Sequence, residues 1–336
     1  MPRKPEVCLV SPARNEGPFL LEWIAWHRAI GFDDIVVLTH DCTDGSDDML
    51  DALEELGLVR HLRHYPRKNE SPVRNAYRKA HKDPRVLAAD WVMAMDIDEY
   101  LQVFVGDGTI HDLVVNNGQN CLGMAINWKA FGSNGINKWQ DKFLRHQFTR
   151  AADGQVEANV FFKSIFRDLH LFGRLEEHGP VNFSKDWGGA NIWVDSEGVH
   201  IKAIRLTKPP QHYRESAKRR ITHSAAQVNH YAIKSLESFS LKGTQLSGSQ
   251  RIHRHNAEFL ALYDCNDIED LSAQSREDAF EAEYKKLVDH DHIFKMHHNC
   301  CANYVKRLSK LTNTAPNDDP RFLKHKALAG DYWRSD

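Results

Sequence analysis

The first hundred residues alternate between two hydrophobic periods, and that alternation constrains the fold more than any other feature of the chain. "EVCLVSPA" (6–13) is a short β-branched and apolar run that stops at Pro12. In "RNEGPFLLEWIAWHRAIG" (14–31), Phe19, Leu20, Trp23, Ile24, His27 and Ile30 recur at helical spacing, and Gly31 is a natural stop. "DIVVLTH" (34–40) predicts a second strand, and "DCTDGSDDMLDALEELG" (41–57) predicts a helix led by acids that favour its first turn. "LVRHLRH" (58–64) predicts a third strand. "SPVRNAYRKAHKD" (71–83) predicts a polar helix with Ser71 as cap and Pro72 at its first position. The run at 88–95 predicts a fourth strand. Strands alternating with helices imply a parallel sheet covered on its faces, and in such sheets ligands gather at the carboxyl ends of the strands.

Beyond about residue 105 the pattern changes. "NCLGMAINWKAFGSNG" (120–135), "KFLRHQFTR" (142–150), "VFFKSIFRD" (160–168) and "ANIWVDSEGVH" (190–200) predict short strands joined by polar loops. "SLESFSLKG" and the run at 276–312 predict a return to helix. With 41% hydrophobic and 27% charged residues, the chain of 336 can bury a sizeable core. A formal net charge of −2 argues against nucleic acid or an anionic membrane as the main partner. No apolar run reaches the ~18 residues of a membrane span, and "MPRKPEVCLVSPARNEG" lacks the apolar segment of a signal peptide. A cytoplasmic location is therefore expected, with peripheral membrane contact through "YVKRLSKL" (304–311) left open.

The strand at 88–95 runs straight into acid: "WVMAMDIDEYLQV" (91–103) places Asp96, Asp98 and Glu99 within four positions. Carboxylates two apart alternate across an extended backbone, so Asp96 and Asp98 converge on one cation only where the strand end bends. Hard oxygen donors suit Mg²⁺ or Mn²⁺, which bridge substrate phosphates. The alternative is a solvated loop. Asp41 and Asp44 form a second acidic cluster after the second strand, placed to accept from ribose hydroxyls or a base N–H, with helix capping an equal alternative for Asp44. In "SPARNEG", Pro12 and Ala13 offer backbone to a flat ring, while Arg14 and Glu16 supply charge. Glycines are too sparse there for a dinucleotide fingerprint, and no Walker loop exists, which disfavours a dehydrogenase or a phosphate-loop ATPase.

In the middle segment, Trp128 and Phe131 present aromatic faces that stack on sugar rings or fill a core. Arg145, Lys163 and Arg167 are phosphate holders or surface charges. Glu176, Glu177 and His178 in "RLEEHGP" and Asp186 in "SKDWGG" are the titratable groups among which the family resemblance given below implies a general base, and the sequence does not choose among them. Six cysteines (8, 42, 121, 265, 300, 301) lack framework spacing and read as reduced thiols. "DHDHIFKMHHNCC" (289–301) holds four histidines and two adjacent cysteines without a zinc-knuckle spacing, so a packed helix with some surface histidines is expected.

Taken in order and spacing, "SPARNEGPFLLEWIAWHRAIGFDDIVVLTHDCTDGSDDML", "RNAYRKA" and "WVMAMDIDEYL" resemble the family 2-like glycosyltransferases of the GT-A fold. The closer match is the branch related to family 92, where an Asn-Glu pair precedes a Glu-Trp-x-x-x-His helix and an Asp-x-Asp-Glu stretch follows the fourth strand. "NHYAIKSLESFSLKG" (229–243) resembles that branch's later Asn-His-Tyr segment. The resemblance covers roughly 6–243 and implies an α/β, Rossmann-like GT-A architecture. A mostly parallel central sheet is flanked by helices and followed by a helical C-terminal extension. It implies a glycosyltransferase domain at 1–243, with a nucleotide-sugar half (1–105) and an acceptor half (106–243), and leaves 244–336 without a role. Carried over by position, Asp96 and Asp98 are the metal and diphosphate site, with His230 as a late-returning ligand that favours Mn²⁺ over Mg²⁺. Pro12, Arg14, Glu16, Asp41, Asp44 and Arg74, with Asp96, would surround the nucleotide sugar. The implied reaction is a metal-dependent, inverting transfer (EC 2.4) from a UDP-linked donor to a hydroxyl of a glycan or glycolipid precursor, as in polysaccharide biosynthesis. Two rivals are a sugar-phosphate nucleotidyltransferase, which needs a basic, Gly-rich loop that "SPARNEG" does not supply, and a non-catalytic nucleotide- or glycan-binding protein.

Overall fold

The computed structural model describes residues 3–118, 121–183, 193–201, 220–248 and 252–334. The alternation read from the sequence holds through the first half. β1 (Val7–Ala13), α1 (Gly17–Ala29), β2 (Asp34–Thr39), α2 (Ser46–Glu55), β3 (Arg60–Arg63), α3 (Pro72–Ala80), a one-turn α4 (Pro84–Ala88) and β4 (Trp91–Ala94) follow in order. α4 is the unanticipated element: α3 stops at Ala80, and Asp83 accepts from the backbone N–H groups of Arg85 and Val86, so a second helix starts within a few residues. Then come β5 (Glu99–Val103), α5 (Ile110–Asn117), β6 (Gly123–Ala130), α6 (Leu144–Gln147), β7 (Arg150–Ala151), β8 (Phe162–Arg167), β9 (Phe172–Glu176), β10 (Gly179–Phe183) and β11 (Trp193–Asp195). The chain finishes with β12 (Ala226–His230), α7 (Leu236–Gly243), α8 (Ala257–Tyr263), β13 (Ile268–Glu269), α9 (Glu277–Val288), α10 (Asp291–Leu311) and α11 (Pro320–Ala329).

Among the described residues the main sheet runs β3-β2-β1-β4-β8-β6-β12-β5, with β11 beside β6. Five of its pairings are parallel and three, β4–β8, β6–β8 and β12–β5, are antiparallel. The expected α/β class, with a mostly parallel sheet flanked by helices, is thus the one observed. β1 shows why its sequence is continuously apolar: Val7 and Leu9 enter one buried cluster with α1 and α2, while Cys8 and Val10 enter another with α3.

One expectation fails in the middle segment. "KFLRHQFTR" reads as a strand but forms the single turn α6, because the Glu22 carboxylate on α1 accepts from Leu144 N at 2.7 Å and Arg145 N at 3.1 Å. Two free N–H groups at a helix start, met by a buried carboxylate, outweigh the local pattern. Arg145 is accordingly neither a surface charge nor a phosphate holder. It is 1% exposed, with its guanidinium 3.8 Å from the Phe280 ring centroid and 4.7 Å from that of Trp26.

The C-terminal helices pack onto the N-terminal half of the sheet's helical cover. α10 lies against α1, α2 and α7, and its Asn299 and Asn303 Nδ2 groups each donate to Asp44 O at 3.4 Å. α1 meets α10 so closely that only glycine fits at its start: a Cβ on Gly17 would lie 2.6 Å from Cys300 Sγ. No described helix is long and apolar enough to cross a membrane. Gly17→Ala is expected to cost about 1–3 kcal/mol through overpacking, read as a lower urea midpoint. Cys300→Gly, which removes both the Cβ and the Sγ that crowd that position, should return part of the loss in the same chain, whereas additive effects in that double-mutant cycle would place the close approach elsewhere.

Candidate active site

The carboxyl ends of β1, β2, β3, β4 and β12 open into one cleft of about 580 Å³. Its lining includes Pro12, Arg14 and Glu16 after β1, Asp41 after β2, Asp96 and Asp98 after β4, and His230 at the end of β12. This answers why three carboxylates follow a buried strand. β4 stops at Ala94, and the chain crosses to β5 at the far edge of the sheet order, so Asp96–Asp98 is the link between them.

α1 fixes that link. The Trp23 indole N–H donates to the carbonyls of Asp96 at 3.1 Å and Glu99 at 2.9 Å, and Trp26 Nε1 donates to Leu101 O at 2.8 Å. Beneath it lies the fully buried Lys163 on β8, with its Nζ 3.0 Å from Asp96 Oδ2, 3.1 Å from Glu99 Oε2 and 3.0 Å from Glu177 O. Burial drives both carboxyls upward, Glu99 the further, and the ammonium opposes it. Burial works against the charge on Lys163 too, but Asp96 and Glu99 outweigh it and hold the ammonium well above its ordinary range.

Asp98 faces the opposite balance. Burial alone would raise it, yet Lys242, Lys234 and His230 together bring it well below the usual carboxylate range. Lys242 Nζ lies 2.5 Å from Asp98 Oδ2 and Lys234 Nζ 3.8 Å, while His230 Nε2 faces Asp98 Oδ1 at 3.9 Å. His230 is lowered to about 3 by burial, so its ring is neutral and a nitrogen lone pair is available. Its ring packs on Trp128 with centroids 4.1 Å apart. A carboxylate oxygen and a neutral imidazole nitrogen facing across 3.9 Å fit two positions on a divalent cation such as Mn²⁺ or Mg²⁺. Asp96 turns its Oδ2 to Lys163 instead, and its ligand atoms do not come within 4.8 Å of both Asp98 and His230, so the expected convergence of the two aspartates on one cation is not formed here.

The remaining expected residues divide. Arg14 Nε donates to Asp41 O at 3.3 Å and both line the cleft, as do Pro12 and Glu16. Burial raises Glu16, opposed by Lys234 and Lys242. Asp44 stands behind the wall, 0% exposed: its Oδ2 accepts from Gly17 N and its Oδ1 from Ser46 N, each at 3.0 Å, so its carboxylate ties α1 to the start of α2. Arg74 is exposed on α3, next to the lining residue Val73 but not in the lining itself. Of the base candidates, Glu177 lines the cleft, Glu176 pairs with Arg174 at 2.5 Å, and His178 Nδ1 bonds Phe162 O at 2.9 Å. Asp186 lies outside the described residues. Trp128 lines the cleft, whereas Phe131 is core and Arg167 stacks over Trp91 at 4.9 Å. The sequence reading missed Lys234, Lys242, Arg254 and His255. Lys242, Arg254 and His255 line the cleft and Lys234 stands 3.8 Å from Asp98 Oδ2 without lining it; both lysines sit inside "NHYAIKSLESFSLKG", where nothing local marks them. α7 delivers Lys242: Ser235 caps the helix and the lysine falls in its last turn.

A family model described as Glycosyltransferase family 92 matches residues 4–242. A glycosyltransferase family 92 protein of Ricinus communis is 24% identical over 136 residues, which is 39% of this chain and 24% of that protein. One of Oryza sativa subsp. japonica is 27% identical over 112 residues, 33% of this chain and 18% of that protein. The match thus spans about a quarter or less of those relatives' length. Among solved structures, S. aureus TarS 1-349 aligns over 98% of this chain and 89% of that one, at 10% identity and a TM-score of 0.34. The mannosyltransferase Ktr4p from S. cerevisiae aligns over 39% and 41%, at 12% identity and a TM-score of 0.25.

Lys163→Met should strand the fully buried Glu99 carboxyl, with Asp96 part-exposed to the cleft, and cost about 3–5 kcal/mol, because removing one partner of a buried pair leaves the other uncompensated. Urea denaturation at neutral pH measures it. A loss under ~1 kcal/mol would mean that the ammonium does not hold the link.

Proposed function

The chain belongs to glycosyltransferase family 92, and on that premise we propose that it moves a sugar from a UDP-linked donor to a hydroxyl of a glycan or glycolipid precursor. One juxtaposition carries the reading. Glu16, Asp41, Asp96, Asp98 and His230, from segments far apart in sequence, line a single cleft at the carboxyl ends of the strands. In this reading the backbone at Pro12 and Ala13 faces the base, and Asp41 accepts from the ribose or the base N–H. Asp98 and His230 hold Mn²⁺ or Mg²⁺ with Asp96 beside them. The bound cation would neutralise charge on the departing diphosphate. Lys242 and Lys234, on the same side of Asp98, add fixed positive charge where that leaving group forms.

Glu177 is the residue we assign as general base, since it lines the cleft while Glu176 and His178 are engaged elsewhere. It would take the proton of the acceptor hydroxyl as that oxygen attacks the anomeric carbon from the face opposite the diphosphate, inverting the centre. Trp128 offers its ring to the sugar. A cytoplasmic location and a part in polysaccharide biosynthesis belong to the same proposal.

A second reading rests on the close Lys242–Asp98 pair: ammonium groups alone would carry the diphosphate charge, with no cation. Nucleoside diphosphate release from a panel of nucleotide sugars, with Mn²⁺, Mg²⁺ or EDTA, separates the two. Release from one donor that EDTA abolishes supports the cation, and release that EDTA leaves intact supports the lysines. Asp98→Asn should lower turnover by about 10²–10³-fold with an unchanged circular dichroism spectrum. Glu177→Gln should lower kcat by about 10²–10⁴-fold with the donor KM unchanged, and an undiminished kcat would remove it as the base. Failure to bind or cleave any nucleotide sugar, or pyrophosphate release from a nucleoside triphosphate and a sugar phosphate, would overturn the transferase.

A further inference from the structure

Donor chemistry leaves the run "DHDHIFKMHHNCC" without a role; it is the packed helix expected, with His290 and His292 part-exposed and His297 and His298 buried. In α10, His297 is 7% exposed, His298 6% and Cys301 0%. The helix sets His297 and Cys301 one turn apart, so that Nε2 and Sγ face each other at 3.5 Å. Asp141, in the loop ahead of α6, places Oδ1 3.6 Å from the same Nε2. His325 on α11 reaches Asp141 Oδ2 with its Nε2 at 3.8 Å and the Nδ1 of His298 with its own Nδ1 at 3.0 Å. The ligand atoms of His297, His298 and Cys301 all lie within 4.8 Å of one another, as do those of Asp141, His298 and His325.

We propose that His297, His298 and Cys301, whose ligand atoms lie within 4.8 Å of one another, bind one Zn²⁺ ion, that Asp141, 3.6 Å from His297 Nε2, closes the fourth position as the ion enters, and that His325 positions Asp141 and His298. Zinc bonds of ~2.0–2.1 Å to nitrogen and oxygen and ~2.3 Å to sulfur give tetrahedral edges of ~3.3–3.6 Å, and the His297–Cys301 and His297–Asp141 separations match them. Two imidazoles, a thiolate and a carboxylate are a donor set that selects zinc over Mg²⁺ or Ca²⁺. A cavity of about 550 Å³, lined by Asp141, His297 and His298, gives the ion a way in. The Cys301 thiol gives its proton to solvent on binding. The ion would join α10 and α11 to the loop that leads into α6, and α10 is the helix whose Asn299, Cys300 and Asn303 brace Asp44 and Gly17 behind the donor cleft. This site is separate from the Asp98–His230 pair and does not depend on it.

The test uses the full chain carrying Asp98→Asn, without an affinity tag, to silence the donor-side cation. Zn²⁺ is titrated in competition with a chromophoric chelator, and Co²⁺ serves as the spectroscopic probe. One equivalent of Zn²⁺ is expected, Co²⁺ should show tetrahedral d–d bands with a thiolate charge-transfer band, and Zn²⁺ should raise Tm. Cys301→Ser should remove the charge-transfer band, and His325→Ala should weaken Zn²⁺ binding about 10–100-fold. Each variant is first matched to the parent by circular dichroism in EDTA, with Asp141→Asn as the substitute should Cys301→Ser unfold. No bound equivalent, or a Co²⁺ spectrum that is octahedral or indifferent to these substitutions, overturns the site.

Discussion

A buried ammonium organises this molecule. Lys163, on an antiparallel strand in an otherwise mostly parallel neighbourhood, holds Asp96, Glu99 and the carbonyl of Glu177 at about hydrogen-bond distance. Desolvating one cation and two carboxyls is expensive, and only their mutual contact and added hydrogen bonds offset it. The link between β4 and β5 therefore has one low-energy path. The turn between β9 and β10, which brings Glu177 to the cleft, is tied to the same atom.

α1 supplies the second half of that restraint, and it does so with groups whose polar tips are hidden. Trp23 and Trp26 fill the core with their rings while their N–H groups meet the carbonyls of Asp96, Glu99 and Leu101. Glu22 on the same helix caps α6 and faces the buried Arg145. A helix that is apolar nearly all round thus carries polar groups that hold two remote segments in place.

Across the cleft, charge alternates: Glu16 and Asp98 lie among Lys234 and Lys242, with the neutral His230 against Trp128. Lys234 is lowered to about 8 by burial and by Lys242, the direction expected where two ammonium groups share little solvent. In the proposed reading, such fixed positive charge beside a carboxylate–imidazole pair would stabilise the departing diphosphate.

Periodicity was enough to place β1, α1, β2, α2, β3, α3 and β4, because each presents its own hydrophobic period and its own stop or cap residues. It also put Asp96 and Asp98 at the end of the fourth strand, and there both line the cleft. It failed where a partner from far along the chain set the outcome: Glu22 made a helix of residues 144–147, and Asp44 went to the backbone of Gly17 and Ser46. Lys163, Lys234 and Lys242 carry no local pattern, because a lysine's role is fixed by which carboxylate it meets. The same holds for His297, Cys301 and Asp141, which helix packing brings together across more than 150 residues. Sequence determined the elements and the acids at the strand end. Tertiary structure decided which charges pair, because pairing depends on burial and distance, and neither is written in a local run of residues.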